Sequence, residues 1–430
     1  MDKQIGVGLL GMGVVGGAVA RVISEKSEHI TNLTDASVEI LGVLVRDRKK
    51  KRSFDMPCNK YVSSVDDILD NDDIDIVVEL MGGEHPALEC ILGALNRGKH
   101  VVTANKEVIS KHGPRIFDVA REKNVRVLFE ASVAGGTPII SPLMRDLTVN
   151  DVVSIKAIIN GTTNYILSNM ATHKREFSDV LEEAQVLGYA ESDPYNDIEG
   201  LDAAYKLSIL STLAFRTPVI DSDVYREGIS RLVPEDFQYA DELGYSIKLL
   251  GIATREEGKV QARVHPVLVP ADDSLAKVSG VLNAIEVETD LCEKVVFQGP
   301  GAGPMPTSSA VIADIVNISR SVKEESSFPD PVRLEDEVII QPISDLVSRY
   351  YIRLEVGDLP GVLAQIASIL GEKAISISTV VQKRADGRNG TAELVIMTHL
   401  SKEQDVQLAI KEIECLESLV SIGNVIRVSN

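Results

Sequence analysis

Between Tyr189 and Phe215 the sequence reads YAESDPYNDIEGLDAAYKLSILSTLAF, which crowds Glu191, Asp193, Asp197, Glu199 and Asp202 ahead of a lysine, Lys206. Carboxylates in that number suit an amino-acid substrate, whose ammonium group needs them. A nearby lysine suits carbonyl reduction, which needs a proton donor beside the hydride acceptor. Asp202 and Lys206 are four residues apart in a helical pattern, so they share one face. A simpler account exists. Acids at a helix start are stabilised by the dipole by about 0.3–1 kcal/mol, and a surface Asp/Lys pair adds only about 0.2–0.5 kcal/mol. Spacing alone favours the simpler account.

A second cluster stands near the beginning. The strand IGVGLL runs into Gly11-Met12-Gly13-Val14-Val15-Gly16, and a helical pattern follows. In such a turn Gly11 permits the tight bend, Gly13 lets the backbone approach a pyrophosphate, and Gly16 allows close packing of helix on strand. The pyrophosphate would sit at the positive helix N-terminus. A ligand-free glycine turn fits the pattern too. What favours a dinucleotide is the place of the motif between the first strand and first helix of an alternating α/β region. The second strand ends LVRDRKKKR, so Arg46 stands where NAD proteins usually carry an acid, with Arg48, Lys49, Lys50 and Lys51 behind it. A guanidinium suits a 2′-phosphate, which predicts NADP, with NAD left open. Asp47 is adjacent, and a solvated basic turn is the alternative.

The elements that must hold these residues follow from pattern. IGVGLLG, EILGVLVR, IDIVVEL, HVVTAN and VRVLFE are strands separated by helical stretches, a rhythm that predicts a doubly wound parallel sheet of the Rossmann kind over 1–134. From 135 to 325, strands such as VVSIKAII and QARVHPVLV mix with longer helices, an α+β catalytic and dimerisation region, and a helix near 305–322 is expected to rejoin the first domain. The polar, proline-bearing stretch over 326–348 reads as a linker. From 349 to 430 the pattern is strand, helix, strand, strand, helix, strand, a ferredoxin-like βαββαβ unit.

Bulk composition narrows the function. The formal charge of −20, from 64 acidic and 44 basic residues in 430, repels nucleic acid and anionic membranes. No apolar stretch is long enough to span a bilayer, and the first residues carry no charged leader, so a cytoplasmic protein is expected. Cys58, Cys90, Cys292 and Cys415 lie far apart with no CxxC pair and are read as reduced thiols, mostly core filler. The seven histidines form no cluster of ligand spacing; His85, in GGEHPA, reads as structural.

Five ordered motifs then carry a resemblance beyond the acidic segment. GLLGMGVVGGAV, TANKEVIS (Thr103 to Ser110), FEASVAGGTPII (Phe129 to Ile140), NGTTNYIL (Asn160 to Leu167) and QGPGAGPMPTSSAV (Gln298 to Val311) resemble, in order, the homoserine dehydrogenase family over nearly all of residues 1–320. The resemblance implies interconversion of L-homoserine and L-aspartate 4-semialdehyde in threonine, methionine and isoleucine biosynthesis. It implies Lys206 as proton donor to the nascent alkoxide, Asp202 and Glu191 on substrate polar groups, and Asp197 near the substrate. Gly188 and Gly303 would approach the cofactor. Lys106, just past a strand's carboxyl end, resembles a lysine shared between cofactor and substrate. A lysine bonded to the carbonyl oxygen polarises it, and charge growing there is stabilised by a fixed cation. Which of the two lysines gives the proton stays open.

FEASVAGGTPII also resembles the family's monovalent-cation loop, with Glu130 offering a carboxylate and Val133, Gly135 and Thr137 offering carbonyls to a sodium or potassium ion. On spacing, a glycine turn linking two domains serves equally. NGTTNYIL could bond substrate or nicotinamide, or merely shape a turn before a helix. VGDLPGVLAQIASIL resembles the opening of an ACT domain at Asp358, Pro360 and Gly361, which implies pairing across subunits in a homodimer or larger homo-oligomer. It also implies an amino-acid effector, threonine in this pathway, with a purely dimerising module as the alternative. Deletion from 349 onward is expected to remove such regulation.

Two rivals are weaker. Aspartate semialdehyde dehydrogenase chemistry needs an activated cysteine, and none of the four sits in a motif suggesting one. A catalytically silent NADP sensor is disfavoured by the presence of Glu191, Asp202 and Lys206.

Overall fold

The computed structural model describes residues 3–52, 54–324, 332–334, 338–386 and 390–429. Two compact units emerge: Met1–Ile155 with Tyr205–Val224 and Asn283–Val338, and Lys156–Ala204 with Tyr225–Leu282 and Ile339–Asn430.

The first unit is built on a six-stranded sheet with the spatial order 3-2-1-4-5-6 along the chain. Lys3–Leu10 is central, flanked by Ala36–Leu44 and Tyr61–Val62 on one side and by Ile76–Glu79, His100–Thr103 and Val127–Leu128 on the other. Every adjacent pair is parallel. Parallel strands are covered on both faces, which is why Val77, Val78, Val101 and Val102 run consecutively apolar and fully buried. The order reverses between the first and fourth strands, the place where open α/β sheets leave a crevice at the strands' carboxyl ends. The helix expected near 305–322 runs Pro304–Glu324, and its Val311, Ile315 and Ile318 join Ile5, Val7 and Val19 in one core.

In the second unit Tyr245–Glu256 and Lys259–Pro270 form an antiparallel hairpin. Its two turn residues, Glu257 and Gly258, have φ of 48° and 77°, the left-handed pair that matches strand twist. The C-terminal βαββαβ unit is present as expected: Val347–Gly357, Val362–Glu372, Ile377–Asp386, Thr391–Thr398, Glu403–Ile413 and Leu419–Val428. Its strands lie in the order fourth, first, third, second, and both helices cover one core with Tyr350, Ile352 and Leu394.

Of the anticipated linker over 326–348, residues 326–331 and 335–337 lie outside the described residues, and Ile339–Ile340 is a short strand on the hairpin strand. The C-terminal unit shares the hairpin's sheet. Its last strand pairs in parallel with the hairpin at Val267↔Arg427 and Leu268↔Val428, and the Ser429 amide donates to the Leu268 carbonyl at 2.8 Å. Sequence pattern cannot show such a pairing, because both partners look like ordinary buried strands. Of the cysteines, Cys90 is buried as expected, whereas Cys58, Cys292 and Cys415 are exposed. Among the described residues no helix is long and apolar enough to cross a membrane.

Arg427 locks this junction. It is 3% exposed and bonds Glu403 at 2.6 and 2.7 Å and Glu227 at 3.0 Å through two nitrogens. Burial alone would raise the Glu403 carboxyl, and the guanidinium outweighs it, holding the group below its ordinary range. Removing one partner of a buried pair leaves the other charge uncompensated, at a cost of about 3–5 kcal/mol. Arg427→Met is therefore expected to lower stability by about that amount in denaturant unfolding, and a variant as stable as the parent would contradict the assigned role.

Candidate active site

The glycine loop leaves the first strand at its carboxyl end. The Gly11 amide donates to the Leu44 carbonyl at 3.0 Å, and Gly11 has φ 97°. A Cβ there would lie 2.8 Å from the Leu80 carbonyl, so only glycine turns at this place. A Cβ on Gly13 would meet nothing within 4 Å, which is the open approach a pyrophosphate needs. A Cβ on Gly16 would fall 2.2 Å from the Gly11 carbonyl, so the helix approaches the end of the first strand this closely only at a glycine. Met12 is buried, Val14 and Gly13 are exposed, and the helix Val14–Glu25 begins with Val14 and Val15. The cradle fits a dinucleotide phosphate group.

Arg46 lies two residues beyond the second strand and is exposed. Behind it, Arg48 is tied down, donating to the Tyr61 carbonyl at 3.0 Å and to Ser63 at 2.9 Å.

Lys106 is the first residue of the helix Lys106–Glu122, and a relay of buried polar groups fixes that start. Glu79, fully buried at the end of the fourth strand, accepts from the Thr103 hydroxyl at 2.7 Å and from the Met81 amide at 2.7 Å. Thr103 accepts from the Asn105 amide at 3.0 Å. Asn105 caps the helix by accepting from the Val108 amide at 3.2 Å, and its Nδ2 donates to the Gly83 carbonyl at 2.8 Å. Glu79, Thr103 and Asn105 thus aim Lys106, and nothing in their spacing announces it. Lys206 belongs to the helix Leu201–Phe215, one turn after Asp202.

In the loop 130–137, Glu130 is buried, and its carboxylate accepts from the amides of Ile139 (2.7 Å), Ile140 (2.9 Å) and Ser141 (2.7 Å). Three donors occupy most of a carboxylate's acceptor positions, so the side chain also fixes the start of the helix Ile140–Met144. Val133 and Thr137 are buried, Gly135 has φ 53°, and the Thr137 hydroxyl is buried without a hydrogen-bond partner. Nearby, burial and the Glu130 charge push the Asp314 carboxyl well up, even though it accepts from the Glu130 amide at 2.9 Å. Gly303, φ 125°, precedes the helix Pro304–Glu324.

In the second unit the acidic segment sorts itself. Asp193 accepts from the Tyr195 amide at 3.2 Å, Glu199 accepts from Ser230 at 2.8 Å, and Glu191 is exposed. Asp197 and Asp202 converge on one amide: Asn160 Nδ2 donates to Asp197 Oδ1 at 2.7 Å and to Asp202 Oδ2 at 2.9 Å. Asp202 is 4% exposed and Asn160 5%. A helix dipole worth about 1 kcal/mol does not account for burying a carboxylate, so the simpler explanation of the acids fails at Asp202. Asn160 does a second job, capping the helix Gly161–His173 by accepting from the Thr163 amide at 2.8 Å. Sequence reading left NGTTNYIL unassigned because a capping Asn and a carboxylate-binding Asn look alike. Gly188, φ 76°, ends the helix Phe177–Val186 in open space.

The regulatory turn is as expected in form. Gly361 has φ 94° and precedes the helix Val362–Glu372, with space around a hypothetical Cβ, and Asp358 is exposed. His85 bonds Glu89 at 2.7 Å, in keeping with a structural role.

A sheet of order 3-2-1-4-5-6 with an open glycine cradle, together with two carboxylates that share one buried amide, defines a nicotinamide-dependent oxidoreductase. The chain matches the family models for homoserine dehydrogenase over 138–316, for the homoserine dehydrogenase NAD binding domain over 11–130, and for the ACT domain over 350–417. It is 42% identical over 435 residues to the homoserine dehydrogenase of Neisseria gonorrhoeae, covering 100% of this chain and 99% of the relative. A crystal structure of a homoserine dehydrogenase from Thiobacillus denitrificans is 43% identical with a TM-score of 0.94, covering 100% of this chain and 99% of that one. A hyperthermophilic archaeal homoserine dehydrogenase in complex with NADPH is 28% identical with a TM-score of 0.64, covering 76% of this chain and 99% of that one. The chain belongs to the homoserine dehydrogenase family, and its activity is the interconversion of L-homoserine and L-aspartate 4-semialdehyde.

Asn160→Ser keeps an acceptor at the helix cap while removing the two-armed donor. Hydrogen bonds to charged groups are worth about 1.5–3 kcal/mol, so kcat/KM for homoserine is expected to fall by about 10- to 100-fold with cofactor affinity unchanged. Steady-state kinetics beside a cofactor titration measures both, and parental kcat/KM would remove Asn160 from the site.

Proposed function

We propose that Lys206 gives the proton in reduction and takes it in oxidation, with Asp202, Asp197 and Glu191 holding the amino-acid end of the substrate. When bound, the nicotinamide supplies or accepts the hydride. The observation that carries this reading is the sharing of Asn160 Nδ2 by Asp197, half-buried, and Asp202, buried, with Lys206 one helical turn beyond Asp202. An ammonium ligand would offset the desolvation of these carboxylates. A lysine ammonium donating to the aldehyde oxygen polarises the carbonyl and delivers the proton as the alkoxide forms. Lys106 stabilises the same growing charge from the carboxyl edge of the parallel sheet. Gly11 to Gly16, Gly188 and Gly303 bring backbone to the cofactor.

NADP is the cofactor in this reading. Support comes from Arg46, exposed just past the second strand where an acid would select NAD, and from the archaeal relative that holds NADPH. The Glu130 carboxylate and the backbone carbonyls of Val133, Gly135 and Thr137 take a sodium or potassium ion. The domain limits are those read from the sequence, the assembly is a homodimer or larger, and the compartment is the cytoplasm. At Asp358 and Gly361 the ACT turn takes an amino-acid effector, threonine, whose carboxylate would find the free amides at the start of the helix Val362–Glu372.

Lys206→Ala should lose most of kcat yet still bind NADPH, measured as cofactor fluorescence beside turnover of aspartate semialdehyde; near-parental turnover would refute the proton-donor role. Arg46→Asp should reverse or erase the NADP:NAD preference in kcat/KM, and an unchanged ratio would return Arg46 to the status of a solvated turn residue.

A further inference from the structure

We propose that the helix Lys106–Glu122 grips the residue immediately before Lys206, and that Ser110, Lys111 and Ser208 are thereby positioning residues for the reaction. The proposal rests on the reading of Lys206 as proton donor.

The grip has two points. Ser110 and Ser208, 98 residues apart in sequence, are 2% and 0% exposed, and their hydroxyl oxygens stand 2.6 Å apart. Ser208 also donates to the carbonyl of Tyr205 at 2.9 Å. A hydroxyl has one proton to give, so with that proton on Tyr205 the Ser110 hydroxyl is the donor between the serines. The chain of donors runs from Ser110 to Ser208 to the peptide group that joins Tyr205 to Lys206. At the second point the Lys111 ammonium lies 5.7 Å from the centre of the Tyr205 ring, within range of a cation–π contact. Lys111 is itself fixed by Glu84 and Glu107, each at 2.8 Å, and Glu84 is held again by His112 at 2.7 Å. Burial works against the Lys111 charge, and the bonds to Glu107 and Glu84 more than offset it, raising the group above its ordinary value.

Helical geometry turns this grip into control of Lys206. Tyr205 and Ser208, three residues apart, share the face that meets the helix Lys106–Glu122. Lys206 and Asp202, four apart, share another face. Holding Tyr205 by carbonyl and ring therefore fixes the rotation and height of the turn that bears Lys206. The gripping helix begins with Lys106, so one rigid element orders both lysines. A misplacement of about 1 Å costs on the order of 100-fold in rate, which makes such a brace worth keeping.

The test compares Ser208→Ala, Lys111→Met, Lys111→Arg and the double variant Ser110→Ala/Ser208→Ala with Lys206→Ala. Readouts are kcat, KM for homoserine, NADPH affinity and thermal midpoint. Ser208→Ala and Lys111→Met are expected to lower kcat by about 10-fold, with NADPH affinity within about 2-fold of the parent. Lys111→Arg, which keeps the cation, should recover most of the loss. In the double variant neither hydroxyl is stranded, so thermal stability should return toward the parent while kcat stays low. If kcat returns with stability, the serines are structural only and the proposal is overturned. It is overturned equally if Ser208→Ala and Lys111→Met turn over normally while Lys206→Ala does not. Normal turnover by Lys206→Ala would mark failure of the underlying assignment and bring the proposal down with it.

Discussion

Two carboxylates of the same charge, Asp197 and Asp202, are kept on a single amide nitrogen, that of Asn160. Bringing like charges together out of water is unfavourable unless donors compensate. Asn160 supplies one such donor to each carboxylate. The arrangement also ties the acidic segment to the helix Gly161–His173, since the same Asn160 caps that helix through the Thr163 amide. Any shift of the helix start would therefore move the carboxylates with it. Much of the local structure around the acids serves that link, including Glu199 on Ser230 and the close packing of Gly200 near Val264.

The nucleotide side follows the same logic with a buried acid in the organising role. Glu79 ends the fourth strand without any cation assigned to it and is satisfied by a hydroxyl and an amide, Thr103 and Met81. From Thr103 the bonding passes to Asn105 and back to Gly83. The segments after the fourth and fifth strands are thus joined where the sheet opens, and Lys106 inherits its place from them. A parallel sheet gives no side-chain ladder at its carboxyl edge, so polar relays of this kind must supply the order that the loops lack.

What the sequence disclosed and what it hid divide along one physical line. Gly11 and Gly13 were legible because their roles are local: a positive φ at one and absence of a Cβ at the other are properties of the residue itself. Alternating strands and helices were legible because periodicity is local too. Asn160, Glu79 and the Ser110–Ser208 contact were hidden because their partners lie 37 to 42, 24 and 98 residues away. The amide partners of Glu130 were hidden for a related reason, since its carboxylate bonds amides nine to eleven residues ahead. A polar residue's type tells what it can bond, and only the fold decides which bond it makes.

The regulatory sheet raises the same issue at larger scale. Read as a string, the last strand is the final piece of a self-contained βαββαβ unit. In the fold it has two loyalties, pairing with Val347–Gly357 inside that unit and with the hairpin strand Lys259–Pro270 outside it. Arg427 sits on the shared strand and is bonded to Glu403 within the unit and to Glu227 beyond it. Asp236, fully buried, adds a second tie by accepting from Tyr351, Arg353 and Asn424. The unit that carries the turn at Asp358 is therefore continuous with the hairpin through one sheet. Its buried ion pairs tolerate few intermediate positions, because a guanidinium half out of its pocket is costly. Removing the unit wholesale would strip a strand from the hairpin as well, so loss of regulation in a truncated chain would report damage to that sheet as readily as loss of an effector site.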